Sequence, residues 1–182
     1  MAVLPIRTLP DPVLRQKAKR VKTIDPSVSK LIKNMLETMR KASGVGLAAP
    51  QVGVPLRVVV IEVPDQEPIC LVNPQIVRKS GERIIEEGCL SIPGYVGQVC
   101  RAVSVTAKGL DAKGKEVRVK GTDLLAQALE HEINHLNGVL YIDQLTSPDT
   151  FHKVETKRKE PAEAAKDAAQ EPDTTAESEP VG

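Results

Sequence analysis

Cysteine is scarce in this chain: Cys70, Cys89 and Cys100 are the three among 182 residues. An odd, widely spaced set makes no disulfide framework and fits a reducing cytosol, where a thiolate is also safer as a metal ligand. Residues 1–7 lack the apolar run of a signal peptide, and Pro10 and Asp11 follow at once. No segment is long and apolar enough to span a membrane. No Gly-Lys-Ser/Thr follows the glycine-rich segment 44–53, so that segment is not a phosphate loop. There is no internal repeat. These absences lead us to expect a cytoplasmic protein without a membrane partner.

Net charge is also nearly lacking, at +1, but the charge is uneven. Residues 160–182 hold seven acids and one base, which leaves 24 basic and 17 acidic residues in 1–159, a net of +7. A body this basic is compatible with work beside the ribosome, and the excess is too mild to imply direct, sequence-specific nucleic-acid binding. Phe151 is the last aromatic residue. Beyond about residue 150 the chain turns polar and then acidic, with almost nothing to bury. The expected organisation is one folded domain over 1–150 and a polar, acidic, disordered tail over 151–182.

The stretch that carries chemistry is 127–138, Gln-Ala-Leu-Glu-His-Glu-Ile-Asn-His-Leu-Asn-Gly. Its kernel is His-Glu-x-x-His. Four residues apart on a helix, His131 and His135 stand one turn apart on one face, the spacing two nitrogen ligands need to grip one metal ion. Glu132 cannot readily bind the same ion but can reach a water beside it. Thr122 or Asp123 can cap the helix, Leu124, Leu125, Ala128, Leu129 and Leu136 form its apolar stripe, and Gly138 stands where it should stop. The bland alternative is a solvated helix face that happens to carry two His.

A catalytic site of this kind takes three protein ligands. One metalloprotease class places a third His at the position held here by Tyr141. Another takes a downstream Glu, for which Glu155 is a formal candidate in a lysine-rich stretch. Upstream, Cys89 ends a β run, after Gly88 and before Pro93 and Gly94. Alone it reads as a buried strand residue, but a thiolate with two imidazoles makes a coherent site for zinc or ferrous iron. Three readings stand: a hydrolase using Cys89, a zincin-like peptidase using Glu155, and a closed structural site with Cys100 as a fourth ligand and no use for Glu132.

Elsewhere, Asp11-Pro12 and Asp25-Pro26 each open a helix, and Leu31, Ile32, Met35, Leu36 and Met39 give the second its apolar face until Gly44 ends it. Strands are predicted over 57–63, 69–72, 75–77, 83–87, 103–107 and 116–119, with Cys100 in a further strand and a short strand over 139–142. Strands in series between two helices, without βαβ alternation, predict an α+β fold of mainly antiparallel sheet around the His-bearing helix.

Three motifs together resemble the peptide deformylase family: G-φ-G-φ-A-A-x-Q at 44–51, E-G-C-L-S at 87–91, and Q-x-x-x-H-E-x-x-H at 127–135. The resemblance covers roughly 1–150, is of the bacterial and organellar type, and says nothing about the tail. It implies an enzyme that hydrolyses the N-formyl group from the formylmethionine of newly made polypeptides and releases formate. It implies Cys89, His131 and His135 as ligands of one divalent ion, typically Fe2+ with Zn2+ possible. A metal-held water would be the nucleophile and Glu132 the general base and later acid. The Gln51 amide and the Leu90 backbone N–H would hold the oxyanion, and Gly46 would let the peptide approach as an added strand. Val45, Ile85, Leu124 and Leu129 are the expected walls of the methionine pocket. Glu87 and Arg101 are expected to pair and brace the Cys89 segment. Nascent formylmethionyl chains are the expected partners, with transient ribosome contact through Lys153, Lys157, Arg158 and Lys159.

Overall fold

In the computed structural model, which describes residues 2–154, Asp25 caps the first α-helix, α1 (Pro26–Lys41), accepting hydrogen bonds from the backbone of Ser27 and Val28. Asp11 does the same for a single 3-10 turn at Pro12–Arg15. The end of α1 differs from expectation: Ser43, at φ 54°, takes the left-handed turn, while Gly44 donates to Met39 O in ordinary backbone.

Seven strands follow: β1 (Gly46–Ala48), β2 (Val58–Ile61), β3 (Ile69–Ser80), β4 (Arg83–Cys89), β5 (Ile92–Arg101), β6 (Ser104–Leu110) and β7 (Glu116–Thr122). Then come α2 (Asp123–His135) and a last short strand, β8 (His152–Lys153). One sheet has the order β1-β2-β3-β6-β7 and the other β4-β5-β8. Every strand pair is antiparallel. In β2, Val59 and Ile61 face the cluster built by α2, and Val58 and Val60 face the one built by α1. Burial on both faces explains why this strand reads as an unbroken apolar run.

Three local expectations change. The strands predicted over 69–72 and 75–77 are one strand that runs on to Ser80 and bulges through Asn73, at φ 54°; the Asn73 amide bonds both the N–H and the C=O of Val21 and ties the N-terminal arm to the sheet. Residues 139–142 are not a strand: Asp143 accepts from the Leu140 N–H and the chain coils into a 3-10 turn, Tyr141–Gln144. The Thr122 side chain makes no capping bond at the start of α2. Gly138 does close that helix, at φ 74°, and a Cβ there would strike the Arg15 carbonyl. The fold also runs past residue 150, since β8 pairs with Tyr95 and Val96, and Phe151 stacks on Tyr95. The acidic segment 160–182 lies outside the described residues.

Candidate metal centre and active-site cleft

The helix α2 lies between the two sheets and is buried nearly all round, although four of its buried residues are Glu130, His131, Glu132 and His135. A solvated face is therefore excluded. Burial of this much ionisable surface is costly unless each group is paired or ligating. The Nε2 atoms of His131 and His135 lie 3.1 Å apart. Cys89 comes from the end of β4, where the register with β5 slips between Gly88 and Cys89. A bulge of this kind re-aims a side chain, and Cys89 Sγ lies 3.2 Å from His135 Nε2. One donor atom from each of the three residues lies within 4.8 Å of the others.

This donor set fits a divalent cation. A thiolate and two imidazoles suit zinc or ferrous iron, and the sulfur already receives the Ser91 N–H at 3.4 Å and the Gln51 amide at 3.6 Å. The local field also fits. Burial works against a charged His131, yet its contacts with Cys89 and Glu87 outweigh this and raise its pKa well above the usual imidazole range. Burial, with His131 and Arg101 nearby, keeps His135 well below it. A cation held by Cys89, His131 and His135 would take the place of a proton there and leave both imidazoles as neutral ligands.

Glu132 stands beside this cluster. Its Oε2 is buried with no hydrogen-bond partner among the described residues. Burial pushes its pKa up to about 7, with His131 and Arg101 opposing and Glu87 reinforcing. Gly46 on β1 makes the room: a Cβ at that position would overlap the Glu132 carboxylate. Gln51 sits in a 3-10 turn after β1, fully enclosed. Its Oε1 accepts from Ala48 N at 2.8 Å, which turns the NH2 toward Ser91 Oγ at 3.3 Å and the Cys89 sulfur.

Behind the three candidate ligands lies a buried ionic network that is only partly legible in the sequence. Arg101 grips Glu87 in two hydrogen bonds, at 2.6 and 2.9 Å, so the expected pair is present. Glu87 also accepts from His131 Nδ1 at 2.5 Å. Arg101 reaches Glu130 at 3.5 Å and Gln144 at 2.9 Å, and Glu130 further binds the Ala102 N–H and Lys79. Glu130, Ser91 and Gln144 carried no expectation. The one available signal was Glu130 itself, a third charged residue in a row on a helix otherwise rich in apolar residues.

A cleft of about 550 Å³ opens over the cluster, and Val45, Gly46, Gln51, Cys89, Leu90, Leu124, His131 and Glu132 all line it. Two expected pocket walls do not. Ile85 points with Glu87 to the inner side of β4 and packs toward Leu14, Val99 and Tyr141. Leu129 is fully buried between α2 and the large sheet. Cys100 is exposed and apart from the cluster, which removes it as a fourth ligand. Tyr141 is buried and donates to Tyr95 O. Lys153 is exposed in β8, whereas Glu155, Lys157, Arg158 and Lys159 lie outside the described residues.

The chain is similar in sequence and fold to known proteins. The family model for polypeptide deformylase matches residues 3–151. A peptide deformylase of Dehalococcoides mccartyi (strain CBDB1) is 58% identical over 155 residues, covering 85% of this chain and 93% of that protein. The crystal structure of a peptide deformylase from Legionella pneumophila superimposes with a TM-score of 0.78 at 50% identity, covering 82% of this chain and 89% of the other. A Met-Ala-Ser-bound class I type b peptide deformylase from Acinetobacter baumannii gives 0.76 at 32% identity, covering 79% and 99%. Three motifs in order, a converged Cys-His-His set with a buried glutamate, and this coverage place the chain in the polypeptide deformylase family.

Proposed function

We propose that Cys89, His131 and His135 hold one divalent cation and that Glu132 is the general base in the reaction of this family, hydrolysis of the N-formyl group from the formylmethionine of newly made polypeptides. The carrying observation is the convergence of three donor atoms beside a buried carboxylate oxygen that has no partner among the described residues. We assign Fe2+ as the working ion; the donor set supports Fe2+ and Zn2+ alike.

When bound, such a cation is a Lewis acid that polarises the formyl oxygen and acidifies water from a pKa of about 15.7 toward 7. The remaining work falls to the chain. Glu132, held near neutrality by burial, takes the proton of the attacking water and returns it to the departing amine nitrogen, which leaves as the new N-terminus while formate is released. Gln51 Nε2 and the Leu90 N–H face the developing oxyanion. Gln51 is pre-aimed through its bond from Ala48, so little reorganisation is needed at the reacting moment. Glu87 holds the His131 ring through Nδ1, leaving Nε2 for the ion. Val45 and Leu124 receive the methionine side chain.

The substrates are nascent formylmethionyl chains, met in the cytoplasm in transient contact with the ribosome. Among the described residues the three cysteines are unpaired, and no helix is long and apolar enough to cross a membrane. Residues 1–150 carry every group of the mechanism.

The test is formate release from a formyl-Met tripeptide by anaerobically purified, iron-loaded protein beside Glu132→Ala. Turnover that vanishes in the variant while the ion stays bound supports both the reaction and the base. An iron-loaded native chain without turnover overturns the substrate assignment, and a chain that binds no ion overturns the site.

A further inference from the structure

The large sheet has two faces of different fate. One packs on α2 through Val105, Ala107, Val117 and Val119. The other is covered by α1 over β1 and β2 and is open over β6 and β7. On the open half the register sets Lys108 opposite both Gln75 and Arg118, and Thr106 opposite both Arg78 and Lys120. Residues directly opposite, and residues two apart in a strand, share a face. Arg78, Lys108, Arg118 and Lys120 therefore project from one exposed surface.

Arg20, from the N-terminal arm, joins Lys108 and Arg118 around a groove of about 420 Å³ in which, among the described residues, Glu116 is the one lining carboxylate. Through Arg20 and Gln75 this groove continues into a second, of about 560 Å³, that reaches Lys17 and the buried Arg57. Arg57 donates to the Leu136 and Pro74 carbonyls and to the Asn137 amide, all neutral acceptors. None of these seven cations is in an ion pair among the described residues. Among the described residues, neither groove shares a lining residue with the active-site cleft. A surface this one-sided repels itself and attracts a polyanion.

The chain carries such a polyanion. Residues 160–182 hold seven acids and one base. Tethered after β8, residues 155–182 reach up to roughly 90–100 Å when extended, against roughly 40 Å across a domain of this size. The tether keeps the acids at an effective concentration on the order of millimolar.

We propose that the acidic segment 160–179 docks on the cationic face of β3, β6 and β7 as an intramolecular strap, and that it competes there with external polyanions. Its strength comes from charge number rather than from any one pair, so it is salt-sensitive.

Two measurements on the full chain test this. Zero-length carbodiimide coupling at low salt, mapped by mass spectrometry, should join acids of 160–179 to Lys17, Lys108 or Lys120 within one chain. The yield should survive tenfold dilution and disappear at about 0.5 M salt. Products confined to Lys30 and Lys33 on α1, or yields that fall on dilution as for a second copy, overturn the proposal. Separately, labelled heparin oligosaccharide should bind about tenfold tighter once all seven tail acids are changed to their amides (E160Q, E163Q, D167N, E171Q, D173N, E177Q, E179Q), with a steeper salt dependence. That gain should be absent when K108E and R118E are also present. Equal affinity with and without the tail charges would mean that the face stands free for external polyanions, RNA included, and the strap would be refuted.

Discussion

Glu87 Oε1 accepts a hydrogen bond from His131 Nδ1 at 2.5 Å, with both side chains buried. The same carboxylate is gripped by Arg101, which itself reaches Glu130 and Gln144. The His131 ring is thus oriented by a charge network that spans β4, β5 and α2. Glu87→Gln should lower metal affinity about 10- to 100-fold, the usual cost of losing a partner that orients a ligand, read by chelator competition. Exchanging the charges, E87R with R101E, should not restore it, because Arg at position 87 cannot accept from His131 and Glu at position 101 repels Glu130. Full recovery in the double variant would show that the pair acts alone.

Glu132 titrates near 7 because burial disfavours its charged form. Its carboxylate fraction rises with pH through that value. A cation bound alongside favours the carboxylate further, so metal binding at about pH 6.5 should release protons. Calorimetry in buffers of different ionisation enthalpy measures the number released. Glu132→Gln should release fewer protons, and its turnover should fall by about 10²- to 10⁴-fold at unchanged metal content. Identical proton release in the two proteins would remove Glu132 from the site's ionisation.

Gln51 donates into the cluster from a fixed amide. Gln51→Ala should reduce kcat by about 10²- to 10³-fold, the typical cost of one oxyanion donor, with metal content and KM little changed. Unchanged kcat would refute the role.

Gly46 separates two explanations. The sequence suggests a close approach by the peptide, whereas the structure shows that a Cβ there would overlap the Glu132 carboxylate. If Glu132 is displaced, Gly46→Ala lowers kcat; if only the peptide is blocked, KM rises with kcat intact. The fold favours the first outcome, and steady-state kinetics on a formyl-Met tripeptide decides.

Leu124 and Leu129 stand on the same helix and should behave differently. Leu124 lines the cleft and is exposed, so Leu124→Ala should raise KM with little effect on stability. Leu129 is fully buried, and Leu129→Ala should cost about 2–5 kcal/mol of stability, measured by urea unfolding, with KM unchanged. A raised KM without destabilisation would put Leu129 back among the pocket walls.

The sequence by itself determined the chemistry-bearing set. His131 and His135 follow from helical spacing, α1 and its Asp25 cap from local pattern, and the antiparallel α+β character from strands in series; all of these depend on neighbours within a few residues. The Glu87–Arg101 pair was expected only through the family resemblance; the antiparallel pairing of β4 with β5 is what brings the two charges together. What lay beyond the sequence depends on long-range placement. Ile85 and Leu129 look as suitable for a pocket as Val45 and Leu124, and only the packing of α2 between two sheets decides which side of the helix and of β4 meets the cleft. The strand expected over 139–142 failed because Asp143 captures the Leu140 N–H and coils the chain. The convergence of a cysteine with two histidines more than forty residues away, the burial that raises Glu132, and the cationic half-face of the sheet exist only once the strands have paired in register. Local propensity acts over one turn or one strand, while a site's field and shape are set by elements distant in the chain and close in space.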